Sequence, residues 1–81
     1  MKNIIQTIIN RTCKQVVILY RIGTFLTTNE VIQMVYDELD KQHIDVPPTV
    51  WIFDKAIPVD EYIKMQIENK LKYKLKDYQL R

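Results

Sequence analysis

The sequence predicts a single, mainly helical domain of three to four helices spanning 1–81, and three observations predict it. No Pro or Gly interrupts Ile4 to Ile22, and apolar residues recur there at helical spacing. Thr27 is followed three residues later by Glu30, the signature of a helix start. Pro58 is followed by Asp60 and Glu61 and then by apolar residues every fourth position, which reads as a last helix. The same residues allow an alternative, an α+β domain with short paired strands at 15–22 and 49–53.

In the first element Ile5, Ile9, Cys13, Val16 and Tyr20 share one helical face, Asn3 and Gln6 resemble a capping box, and Gly23 stands where a helix ends in left-handed geometry. Val16 to Tyr20 is an apolar run rich in β-branched residues, so a buried strand over 15–22 is the competing reading. The second helix opens at Thr27 as cap, carries Val31, Met34, Val35 and Leu39 on its inner face, and ends near Gln42 or His43. Pro47 and Pro48 force a break. Thr49 to Phe53 then reads two ways: as a Thr-Val-Trp-Ile-Phe strand, or as a helix with Pro48 in its first turn. The last helix has the stripe Ile63, Ile67, Leu71, Leu75 and Tyr78, with acids at the positive end of its dipole and lysines at the other; Lys74 falls inside the stripe.

A chain of 81 residues that is 47% apolar can bury a core, but only about 60–65% of its unfolded surface, so its stability margin is thin. Twelve isoleucines, one Ala and no Ser suggest the codon usage of an AT-rich genome, such as that of a low-GC bacterium, its phage or a mobile element. One glycine cannot build a phosphate-cradling loop. One His and one Cys cannot supply the four ligands of a structural zinc, no serine is present as a nucleophile, and nothing in the sequence activates Cys13 or His43. No catalytic residue, metal or cofactor is therefore expected. A lone cysteine excludes an intrachain disulfide and suits a reducing, cytoplasmic setting, and neither a secretory signal nor a membrane span is expected.

Charge is sorted along the chain. Lys2, Arg11, Lys14 and Arg21 make residues 1–22 carry +4. Glu30, Asp37, Glu38, Asp40, Asp45, Asp54, Asp60 and Glu61, against Lys41 and Lys55, make 23–63 carry −6. Lys64, Lys70, Lys72, Lys74, Lys76 and Arg81, against Glu68 and Asp77, return the end to +4. A net charge of +2 thus hides a polarised molecule. The basic end, interleaved with Tyr73 and Tyr78, is the best nucleic-acid signal in the chain, because cations neutralise phosphate while aromatics stack on bases. It equally suits a solvated face at a helix C-terminus. Trp51 with Phe53 reads as core, or alternatively as an interface anchor. Tyr62, Met65 and Tyr73 form a second apolar line on the last helix, suited to dimerisation or to docking a partner.

The stretch Phe25-Leu26-Thr27-Thr28-Asn29-Glu30-Val31 and, fifteen residues on, Val46-Pro47-Pro48-Thr49-Val50-Trp51 resembles the core of small winged-helix regulators. The resemblance implies a helix-turn-helix-like domain in which Thr49, Trp51, Ile52 and Lys55 lie on a recognition helix facing DNA. The chain departs from that pattern in two ways. Asp54 and the acidic middle would repel phosphate there, and a helix from Pro58 is expected where a glycine-turned wing hairpin would follow.

The functional expectation is a small non-enzymatic accessory protein. It docks a larger protein of a transcription or replication apparatus and contacts DNA or RNA through a basic C-terminal helix bearing Lys64, Lys70, Lys72, Tyr73, Lys74, Lys76 and Arg81. Trp51, Tyr62, Met65, Asp37 and Asp40 are the expected partner-binding residues, with a homodimer as one arrangement. The alternative is a protein-binding inhibitor or adaptor of a phage or mobile element that uses its acidic middle face.

Overall fold

In the computed structural model, which describes residues 2–79, the chain runs through α1 (Lys2–Arg21), α2 (Thr28–Lys41), β1 (Thr49–Ile52), β2 (Lys55–Pro58), α3 (Val59–Leu71), one 3-10 turn (Lys72–Lys74) and α4 (Lys76–Gln79). Four helices and a two-stranded antiparallel sheet make the domain mainly helical.

The strand reading of 15–22 does not hold, because the helix continues to Arg21. Helical spacing sorts the β-branched run by depth: Val16 is buried, Val17 half-buried and Ile18 exposed. At Gly23, with φ at +89°, the helix stops. The Gly23 N–H donates to Tyr20 O at 3.1 Å and the Thr24 N–H to Leu19 O at 2.8 Å, which satisfies two of the last carbonyls of α1.

The expected cap of α2 is present in both directions: the Glu30 N–H donates to Thr27 Oγ1 at 3.2 Å, and the Thr27 N–H donates to Glu30 Oε1 at 3.1 Å. Hydrogen bonds from Thr27, first from its backbone and then from its hydroxyl, hold the Glu30 carboxyl below its ordinary 4.5. The cap is therefore fully formed above that value and is lost as pH falls through the lower folded one. The far end of α2 repeats the closure of α1 with a less permissive residue. His43 takes φ +57°, its N–H donates to Asp40 O at 3.0 Å, and the Ile44 N–H donates to Leu39 O at 3.0 Å.

Thr49 onwards is a strand, but its partner is 55–58 and not 15–22. Thr49 pairs with Pro58, Val50 with Ile57, Trp51 with Ala56 and Ile52 with Lys55, leaving Phe53-Asp54 as a two-residue loop. Such loops need a positive φ, and Phe53 supplies it at +55° in place of glycine. A hairpin therefore exists where none was expected. Its first strand occupies the stretch that the winged-helix resemblance assigns to a recognition helix, so Thr49, Trp51 and Ile52 alternate across a sheet rather than share a helical face. Val50 turns inward; Thr49 and Trp51 turn out.

Pro58 sets the entry to α3, which buries Val59, Tyr62, Ile63, Ile67 and Leu71. These join Ile5, Ile8, Ile9 and Val16 of α1, Val31, Val35 and Leu39 of α2, and Val50 in one cluster. Each such aliphatic contributes about 1.5–3 kcal/mol by leaving water. The expected single helix to Tyr78 is broken at Lys72, whose φ of +46° turns the chain back. That turn lets Leu75 enter the core beside Leu26, with the Lys76 N–H donating to Leu26 O at 2.8 Å. It also sets Asp77 at the start of α2, where its carboxylate accepts from the Thr28 N–H at 3.0 Å and the Thr28 hydroxyl at 2.6 Å.

Replacing Asp77 by Ala is expected to lower stability by about 1.5–3 kcal/mol, the range for hydrogen bonds to a charged group. His43→Gly should raise it by about 0.5–1 kcal/mol by relieving the left-handed backbone. Urea unfolding followed by circular dichroism reads both.

Candidate functional site

Two basic segments far apart in sequence meet at one place. A groove of about 630 Å³ between α1 and the end of α3 is lined by Asn10, Cys13, Lys14, Val17, Ile18, Arg21, Lys70 and Leu71. On α1 the cations Lys14 and Arg21 stand seven residues apart, two helical turns, so they rise from one face. Packing of the buried face of α3 against α1 then brings Lys70 to the opposite wall. Three cations and no acid line this groove, over a floor of Val17, Ile18 and Leu71.

Beside the groove, at the end of α1, the Tyr20 and Phe25 rings lie 5.4 Å apart at 58°, and Lys74 Nζ sits 6.0 Å from the Tyr20 centroid. Lys74 is thus held toward the same end of α1 by the attraction of a cation for a ring face. Cys13 lies in the groove wall, nearly buried, and burial pushes its thiol above the ordinary 9.0 while the nearby Lys70 charge partly opposes the rise. A raised thiol is a weak nucleophile at neutral pH.

The expected basic helix is therefore distributed over several surfaces. Lys64 is exposed on α3 and Lys70 faces α1. Lys72 and Tyr73 lie with Met65, Glu68, Asn69 and Tyr78 around a hollow of about 340 Å³, and Lys76 lies near enough to Glu30 to help lower its carboxyl. Arg81 lies outside the described residues. Of the expected partner-binding line, Met65 and Tyr73 do come together. Tyr62 does not: it is 2% exposed and its hydroxyl donates to Gln6 Oε1 at 2.6 Å, tying α3 to α1. Helix α3 starts at Val59, and that register turns position 62 inward with Val59 and Ile63. Trp51 is 65% exposed, on the outer face of the hairpin.

Acids gather elsewhere. Asp37 and Asp40 are exposed on α2 and, with Gln33, Tyr36, Leu39, Ile44 and Val46, border a hollow of about 350 Å³ whose lining holds no cation. Tyr36 donates a hydrogen bond to Asp60, which brings the acidic first turn of α3 to this side. Burial raises the Tyr36 phenol from 10.0 to about 12, helped by the bond to Asp60 and by its charge. This contribution to stability is present below the ordinary value and lost as pH rises through about 12.

Sequence reading missed the α1 half of the basic groove, although the spacing of Lys14 and Arg21 carried the signal; their meeting with Lys70 is a tertiary fact. The core reading of Trp51 with Phe53 does not hold, because Phe53 is 97% exposed at the hairpin tip and Trp51 lies on the hairpin's outer face. Among the described residues no helix is long and apolar enough to cross a membrane, and no group of three or more His, Cys, Asp or Glu is placed to hold a metal ion. No family model, curated protein or solved structure matches the chain.

Removing the Lys70 charge should raise the Cys13 thiol further, so Lys70→Gln is expected to slow alkylation of this single cysteine in mildly alkaline buffer; a rate against pH profile checks it. Asp60→Asn should bring the Tyr36 ionisation down from about 12 toward 10.0, as read by ultraviolet titration against a Tyr36→Phe control.

Proposed function

We propose that this protein is a non-enzymatic accessory protein of a transcription or replication apparatus that holds nucleic acid in the α1/α3 groove and docks a larger protein through its acidic side. The observation that carries the proposal is the convergence of Lys14, Arg21 and Lys70 on one groove with no acid in its lining. Phosphate is the ligand chemistry that such a wall suits, and each neutralised phosphate releases condensed counterions. Lys74, above the Tyr20 ring, extends the positive surface along the backbone of the nucleic acid.

The second reading is a protein-binding inhibitor or adaptor, in which Asp37 and Asp40 imitate phosphate toward a basic site on another protein. It is favoured by the hollow that Asp37 and Asp40 share, whose lining holds no cation, although Asp37 also borders a second hollow with Arg11 and Lys41.

Anisotropy of labelled oligonucleotides across a salt series tests the first reading. Three phosphate contacts give a slope of log affinity against log salt of about −2.7 on duplex DNA and about −2 on single strands. The Lys14→Gln, Arg21→Gln, Lys70→Gln triple variant should flatten that slope with its helical content intact. Absence of salt-sensitive binding to DNA or RNA at low ionic strength would overturn the reading and leave the acidic side as the functional one.

A further inference from the structure

We infer that the outer edge of β1 is a docking edge for the same edge of a second copy of this chain, giving a two-fold dimer with one four-stranded sheet in the order β2-β1-β1-β2. This goes beyond the proposed nucleic-acid contact and does not depend on it.

Hairpin geometry supplies the first support. A two-residue loop at Phe53-Asp54 makes Ile52 and Lys55 the hydrogen-bonded pair that closes the ladder. Pairs alternate along an antiparallel ladder, so Trp51 with Ala56 and Thr49 with Pro58 are the non-hydrogen-bonded pairs. The backbone N–H and C=O of Thr49 and Trp51 therefore point out of the hairpin, away from β2. Among the described residues no backbone hydrogen bond from outside the hairpin reaches either of them; the nearest closure is the Val59 N–H on Pro48 O at 3.0 Å.

The two edges of this sheet differ. On β2, Pro58 has no N–H to offer at an outward position and Lys55 places a charge by the loop, both devices that discourage pairing. On β1, Pro48 to Phe53 carries no charge at all. An uncharged, β-prone edge with outward donors and acceptors is a template for another strand.

Self-complementarity selects the occupant. With the two-fold axis at Trp51, antiparallel pairing sets Trp51 opposite Trp51 of the second copy and Val50 opposite Ile52, while Phe53, in the loop just past the end of the strand, lies beside Thr49 of the second copy. No like charges face each other, because Asp54 falls opposite Pro48. The match covers Trp51 and Phe53, the two large apolar side chains that the hairpin leaves 65% and 97% exposed. A two-stranded sheet is marginal alone, and four strands remove that weakness. The left-handed backbone of Phe53 has a place here too, since it sets the register that turns the Thr49 and Trp51 groups outward.

Trp51 is the only tryptophan, so the proposed interface reports on itself. Sedimentation of the full chain from about 1 to about 100 µM is expected to show a shift from the 9.8 kDa chain to a particle of twice that mass. Trp51 emission should move to the blue over the same range. Thr49→Lys and Trp51→Lys, both at exposed positions, should each weaken association about tenfold or more while leaving the helical circular dichroism unchanged. A wild-type chain that stays monomeric at about 100 µM overturns the inference, as does undiminished dimerisation of both lysine variants.

Discussion

Leu71 and Leu75 are both withdrawn from water although the chain reverses between them, and the rest of the molecule depends on that reversal. A domain this small has one core, so every long apolar residue near the end of the chain must find it or be left in solvent. Turning back at Lys72 meets the constraint by seating Leu75 beside Leu26 and tying the following residue to the α1–α2 connection. The same turn separates the lysines of the last third. Lys70 stays with α1, Lys74 rises over Tyr20, Lys72 faces Met65, and Lys76 approaches Glu30. Apolar packing decided where the charges went.

Much of the helical framework could be read from the residues. The capping box at Thr27 and Glu30, the inner face of α2 and the buried stripe of α3 each rest on local chemistry that tertiary context did not override. The hairpin was only half legible. The four apolar residues Val50 to Phe53 fit either period, and the loop Phe53-Asp54 carries no glycine to mark a turn. The bend at Lys72 left only a faint signal, Lys74 inside the apolar stripe, since lysine is an ordinary helix former and Leu71 and Leu75 keep the i, i+4 spacing across the bend. Tyr62 shows the same limit from another side: one residue of register decides whether a tyrosine at the start of a helix looks inward or out.

Charge patterning was legible as blocks, but blocks do not specify surfaces. The first and last thirds of the chain could have presented their cations on opposite sides. That Lys14, Arg21 and Lys70 line one groove follows from how α3 lies along α1, a relation set by isoleucines and leucines. Asp37 and Asp40 escape this groove because α2 packs its inner face on Val31, Val35 and Leu39 and turns its acids outward elsewhere. The sorting is not complete, because Asp37 and Glu38 also share a hollow with Arg11 and Lys41 on the face where α1 meets α2.

Asp77 joins the last short helix to the first turn of α2, so the end of the chain and its middle share one hydrogen-bonded junction. Shortening the polypeptide from this end does more than subtract lysines. It strips the carboxylate from Thr28 and loosens α2 at its origin, so a trimmed protein that no longer binds has lost architecture as well as charge. The two losses can be told apart only by neutralising side chains within the intact chain.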